Sequence, residues 1–274
     1  MDSIFSPSTP ILIVATLLIA LVPILLHFLI FKSSAAAASI PKFLILGPSG
    51  SGKTSLCLWF EKGPEEGAVV AATQTSQTTL SLECGLPASI CASCSQYRSE
   101  NDPSLQKEVK RFFMVDTPGH AKLRHIAMAE LDKPKVRGLI FVVDSADDMT
   151  KVAEYLHDVL LALQKRAGKE KISLLIACNK NDLFTALPAT RIKAMLEKEI
   201  TRIRESRAKG LRDSGVAGVD AVDADDENEW LGEGGKGEFK MEMMEEVGVD
   251  VTFKGGSVGK GDCAHWRQWL GRCL

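Results

Sequence analysis

The chain carries almost no net charge: 33 Lys and Arg stand against 35 Asp and Glu, a formal balance of −2 over 274 residues. A protein that grips nucleic acid generally needs a basic excess, so no direct nucleic-acid partner is expected. Metal-binding cysteine pairs are also lacking. Cys91-Ala92-Ser93-Cys94 is a CxxC without a second pair, which reads as a loop with two thiols rather than a zinc site. The seven cysteines are odd in number and scattered, with Cys57 and Cys178 inside apolar segments, as in a reduced cytosolic protein. The start, Met1-Asp2-Ser3-Ile4, has no Lys or Arg, whereas a cleaved signal peptide has a positive start and a shorter apolar run. Asp2 stands where N-myristoylation needs glycine, and the last residues form no CaaX box, so lipidation is not expected to supply membrane contact.

What is present begins with a long apolar run. Ile11 to Phe31 is interrupted only by Thr16, Pro23 and His27. At 1.5 Å per residue this is roughly 31 Å, the thickness of a bilayer's hydrocarbon core. The expectation is a single transmembrane helix at 11–31, touching membrane lipid, after a short lumenal tail at 1–10. Lys32 and Lys42 follow the run while Asp2 precedes it, which places the remainder on the cytosolic side. Residues 32–40 read as an alanine-serine linker, and 41–274 as one folded domain.

Within that domain, strand and helix patterns alternate. Phe112-Phe113-Met114-Val115, Leu139-Ile140-Phe141-Val142-Val143 and Ile172–Ala177 are runs suited to strands buried on both faces of a mainly parallel sheet. Val152, Leu156, Val159, Leu160 and Leu163 form one helical stripe, and Ile192, Met195, Leu196, Ile200 and Ile203 another. From about 213 to 238 the composition turns to Asp, Glu, Gly and Ala, with Lys236 the only basic residue after Arg212. That stretch is expected to be a flexible acidic insertion, too polar to order itself. A last strand is expected at Val249–Phe253 and a closing helix at His265–Leu274, with Trp266, Trp269 and Leu270 facing inward.

Three motifs carry chemistry. Gly47-Pro48-Ser49-Gly50-Ser51-Gly52-Lys53-Thr54 lies between an apolar strand and Ser55, the start of a helical pattern. Glycines at this spacing let backbone N–H groups curl around an anion at a helix N-terminus. Lys53 would reach the β- and γ-phosphates, and the Thr54 hydroxyl would ligate Mg²⁺. Asp116-Thr117-Pro118-Gly119-His120 follows the next strand; Asp116 is placed to hold Mg²⁺ through a water, and the Gly119 N–H to sense a γ-phosphate. Asn179-Lys180-Asn181-Asp182 follows a further strand. The Asp182 carboxylate accepts from guanine N1–H and the exocyclic amine together, a donor pair that adenine lacks. Asn179 would support the loop, and the Lys180 stem would cover the purine.

These motifs resemble the small-GTPase superfamily. Thr73-Gln74-Thr75-Ser76, the Leu123-Arg124 pair after His120, Phe141–Ala146 and Leu196-Glu197-Lys198-Glu199-Ile200 extend the match to the family of signal recognition particle receptor beta subunits, over about 10–210 and the final strand and helix. The resemblance implies an α/β P-loop GTPase fold, with helices on both faces of the sheet, anchored in the endoplasmic reticulum by one membrane helix with its GTPase domain cytosolic. It implies GTP and Mg²⁺ as ligands and the receptor's alpha subunit as partner, with the ribosome and translocon beyond. Thr75 matches the switch threonine completing Mg²⁺ coordination, with Thr73 as the fallback. The base loop falls at Gly256-Ser257-Val258, where Ser257 departs from the usual Ser-Ala-Lys. His120 stands where many relatives carry a water-orienting Gln and is the candidate catalytic residue; with no arginine finger identifiable in cis, slow intrinsic hydrolysis is expected. Other readings stay open: an Arf-like or vesicle-traffic GTPase, a P-loop kinase or ATPase, and a scaffold that retains GTP without hydrolysing it.

Overall fold

Successive residues of the first strand serve two different cores. Phe43 and Ile45 pack on one face of the sheet, Leu44 and Leu46 on the other, and all four are buried. The computed structural model describes residues 17–23, 40–63, 76–91, 109–133, 135–167, 171–213, 231 and 237–274. It divides into two units, 1–40 and 41–274. In the first, the described residues 17–23 are helical, with Leu17, Leu18 and Ile19 exposed. Among the described residues no helix is long and apolar enough to cross a membrane; most of the expected span at 11–31 lies outside them.

The second unit is built on a six-stranded sheet in the order β2-β3-β1-β4-β5-β6. Its strands are β1 (Lys42–Leu46), β2 (Leu80–Pro87), β3 (Val109–Asp116), β4 (Val136–Asp144), β5 (Ile172–Asn179) and β6 (Val249–Gly255). Every pairing is parallel except that of β2 with β3. The expected strands at 112–115, 139–143, 172–177 and 249–253 all appear. No strand is expected at 80–87, because β2 is an edge strand whose outward residues interrupt any continuous apolar run. Its only periodic signal is Leu82, Cys84 and Leu86 at alternate positions.

Helices cover both faces. One carries α1 (Lys53–Lys62) and α6 (Ala264–Cys273); the other carries α2 (Arg124–Leu131), α3 (Met149–Ala167), α4 (Ala189–Asp213) and the short α5 (Met243–Glu246). The α3 stripe is fully buried. In α4, Ile192, Leu196 and Ile200 are buried, with Met195 and Ile203 packed against them. Trp266, Trp269 and Leu270 close the opposite core, each such side chain contributing about 1.5–3 kcal/mol by burial. Cys57, Cys84, Cys178 and Cys263 are buried thiols, and burial pushes Cys84, Cys178 and Cys263 up to about 12, so they are inert core residues. Cys91 is buried as well, while Cys94 lies outside the described residues.

One residue of the acidic stretch belongs to the core. Leu231 is 1% exposed and packs in the cluster that contains α3 and α4, so the segment 213–238 is not wholly apart from the fold. The chain is tied down again at once beyond it: Phe239 N–H donates to Thr201 Oγ1 and Met241 N–H to Glu197 Oε1, both at 2.9 Å.

Candidate nucleotide-binding site

Strand order reverses around β1, and the loops at the carboxyl ends of β1, β3, β4, β5 and β6 converge there, the usual crevice for a ligand in an open α/β sheet. The Gly47–Thr54 loop leaves β1 and enters α1 through Gly52, whose φ of 94° is left-handed. A side chain at Gly52 would put its Cβ 2.3 Å from Asn179 Nδ2. Glycine therefore admits the Asn179 amide, which donates to Ser51 O at 2.8 Å. The loop also closes on itself, since Pro48 O accepts from Ser51 Oγ at 2.9 Å and Lys53 Nζ at 2.7 Å.

At the start of α1, Thr54 Oγ1 donates to Asp116 Oδ2 at 2.6 Å, and Ser76 Oγ lies 3.2 Å from the same hydroxyl. Thr117 Oγ1 donates to Ile45 O at 2.8 Å, seating the turn after β3 on β1. Asp116 is fully buried, and its Oδ1 has no hydrogen-bond partner among the described residues. Burial raises its carboxyl above the ordinary value although Thr54 and Lys53 pull the other way, and burial lowers the Lys53 ammonium to about 8 despite Asp116. Each buried charge thus lacks sufficient opposite charge. A phosphate beside Lys53 and a hard divalent cation beside Asp116 would supply it, and hydroxyl and carboxylate oxygens are the donors Mg²⁺ takes. Gly119 completes this wall: a Cβ there would lie 2.3 Å from Lys53 Nζ and 2.8 Å from Ser49 N.

The third loop is held from two directions. Asn179 Oδ1 accepts from Val258 N–H at 3.1 Å, and Asn181 N–H donates to Gly256 O at 3.1 Å, joining the β5 and β6 loops. Ser257 Oγ donates to Asp182 Oδ1 at 2.5 Å, and this bond holds the Asp182 carboxyl below its ordinary value. Lys180 has a φ of 60°, and its Nζ donates to Asp144 Oδ2 at 2.5 Å.

The structure thus brings Gly47 through Ser55, Asp116, Gly119, Asn179, Lys180, Asp182 and Ser257 into one crevice. Thr73 and Thr75 lie outside the described residues; the hydroxyl described from that loop is Ser76. His120 is exposed, and its Nδ1 accepts from Lys122 N–H at 3.3 Å. Sequence reasoning missed Asp144 and Ser76. Asp144 ends the apolar run of β4, and an acid at a strand's carboxyl end was the available signal; nothing in a run of Thr, Ser and Gln singles out Ser76.

The chain matches the family described as signal recognition particle receptor beta subunit over residues 38–249. It is 31% identical over 245 residues to the signal recognition particle receptor subunit beta of Saccharomyces cerevisiae, covering 84% of this chain and 83% of that one. Among solved structures it is similar to the signal recognition particle receptor SRb-GTP/SRX complex from Chaetomium thermophilum, with a TM-score of 0.63 and 34% identity over 85% of this chain and 98% of that one. The SRb-GDP-Mg structure from the same organism gives a TM-score of 0.59 and 33% identity over 86% of this chain and 98% of that one.

Proposed function

This chain belongs to the signal recognition particle receptor beta subunit family, and from that membership we propose that it is the membrane-anchored, GTP-binding subunit of the receptor. In this reading the Gly47–Ser55 loop cradles the phosphates with Lys53. Thr54, Asp116 and Thr75 hold Mg²⁺, while Gly119 reports on the γ-phosphate. Asp182, oriented by Ser257 and flanked by Asn179 and Lys180, reads the guanine. The observation that carries the reading is the buried Asp116 carboxylate, with one oxygen bonded to Thr54 and the other without a hydrogen-bond partner among the described residues, beside a buried Lys53. The bound cation would neutralise phosphate charge. The related structures with GTP and with GDP and Mg support the ligand assignment.

The output of such a subunit is a surface that exists only with GTP bound, because the loops around Thr75 and Gly119 gain contacts from the γ-phosphate. Its partner is the receptor's alpha subunit, a reading supported by the related SRb-GTP/SRX complex. The apolar run at 11–31 holds the chain in the endoplasmic reticulum membrane, with 41–274 in the cytosol. Hydrolysis in isolation is slow: His120 is exposed and its Nδ1 accepts from the backbone N–H of Lys122.

The test is capture of the alpha subunit by the full chain in detergent, with GTP, GDP or ATP and with or without Mg²⁺. Capture is expected with GTP and Mg²⁺ alone. Equal capture under all conditions, or displacement of GTP by equimolar ATP, overturns the reading.

A further inference from the structure

The edge of the sheet opposite the nucleotide crevice carries a groove of about 540 Å³. Arg137 lines it from the start of β4, Lys171 and Ser173 from the start of β5, Asp250 from β6, and Trp269 and Arg272 from α6. Three cationic side chains therefore face one carboxylate, in a chain whose overall charge is negative. Arg137 Nε donates to Cys273 O at 2.8 Å, which pins the guanidinium while leaving its two terminal nitrogens without a partner among the described residues. Lys171 and Arg272 have no ion-pair partner among them either. Unpaired cations gathered in a groove of this size, with an indole wall, suit a phosphate-bearing group with an organic substituent.

The position of the groove selects the source of that phosphate. Lys42, the first residue of β1, pairs with Val136, next to Arg137, and its N–H donates to Lys135 O at 3.2 Å. Ten residues separate Lys42 from the end of the apolar run at Phe31. The eleven steps from Phe31 to Lys42 span at most about 40 Å when fully extended, which bounds how far this edge of the anchored protein stands from the bilayer. Lys110 and Lys135 also lie at the amino ends of β3 and β4 and add positive charge to the same edge, whereas Lys133 there is paired with Glu130 at 2.6 Å. A negatively charged cytoplasmic leaflet attracts such a surface within about a Debye length.

From this placement we infer that the Arg137–Lys171–Arg272 groove is a binding site for the headgroup of an anionic phospholipid. It orients the GTPase domain on the membrane with the nucleotide crevice facing away. The inference rests on the reading of residues 11–31 as an anchor, which brings the groove within reach of lipid. The unpaired cations and the volume stand independently of it.

The test uses the full chain in nonionic detergent, titrated with dihexanoyl phosphatidylserine, dihexanoyl phosphatidylcholine or inorganic phosphate and followed by tryptophan fluorescence, since Trp269 lines the groove. The serine lipid is expected to bind at least about tenfold more tightly than the choline lipid and to weaken with salt. Each removed cation should cost about fivefold, so R137Q/K171Q/R272Q should abolish the preference while GTP affinity is retained. Lys171→Glu alone changes an exposed side chain and should also weaken the preference, which keeps the inference testable should the triple variant fail to fold. Equal affinity for the two lipids, an unchanged preference in both variants, or inorganic phosphate binding as tightly as the serine lipid overturns the inference. Flotation with neutral phosphatidylcholine vesicles reports the anchor separately. Failure to float removes the anchor and with it the lipid source, whereas flotation without a serine preference removes the groove alone.

Discussion

The side-chain amide of Asn179 donates to the carbonyl oxygen of Ser51 at 2.8 Å, across 128 positions of sequence. Its other end accepts from Val258 N–H, so one buried side chain joins the phosphate loop, the base-reading loop and the loop after β6. Asn179→Ala leaves a buried carbonyl and a buried N–H unpartnered. The expected cost is about 2–4 kcal/mol of stability, read by urea unfolding. Release of fluorescent GDP should accelerate by at least about tenfold. Wild-type stability together with wild-type release would show that the link is incidental.

Asp182 and Ser257 make a separable pair. Asp182→Asn should shift preference from guanine toward xanthine nucleotides in a competition assay, because the amide presents a donor where the carboxylate accepted one. The Ser257 hydroxyl holds the Asp182 carboxyl below its ordinary value. The base-binding form is the ionised one, present above the carboxyl's pKa and lost as pH falls through it. Ser257→Ala lets that pKa rise, so the acid limb of guanine affinity should move to higher pH. A limb that stays in place would separate Ser257 from base reading.

Gly119→Ala tests the apposition of the second motif and the phosphate loop. The Lys53 end of the clash is a flexible ammonium, but the contacts at 2.8 Å to Pro48 C and Ser49 N are backbone. Loop displacement should cost about 1–3 kcal/mol of stability. It should also weaken GTP more than GDP, as measured by equilibrium titration of both nucleotides; equal losses would remove Gly119 from γ-phosphate sensing.

His120→Ala should leave single-turnover GTP hydrolysis by the isolated chain within about threefold of wild type. A side chain acting as general base would cost about a hundredfold or more on removal. A loss of that size would mean that the ring swings inward from its bond to Lys122 N–H.

Leu231→Ala should lower stability by about 2–4 kcal/mol, the cost of truncating a core leucine. A denaturation midpoint unchanged from wild type would return Leu231 to the acidic stretch around it.

The motifs were legible because each is local: a phosphate loop needs its residues within eight positions, and continuous apolar runs report strands buried on both faces. Edge strand β2 was not, since half of its residues face outward and no run forms. Leu231 was hidden among Asp, Glu and Gly, where composition outweighs a single apolar residue. Asp144 and Ser76 gained their roles only through partners 36 and 22 positions away.

By itself the sequence determined the strands buried on both faces, the long amphipathic helices, the phosphate and guanine motifs, and the family, because backbone propensity, apolar periodicity and short-range spacing are properties of neighbouring residues. Only the tertiary structure decided that Asn179 braces the phosphate loop, that Ser257 holds Asp182, that one Asp116 oxygen stands without a hydrogen-bond partner among the described residues, and that Arg137, Lys171 and Arg272 share a groove at the far edge. Those relations follow from strand order and register, which bring residues far apart in the chain within hydrogen-bonding distance.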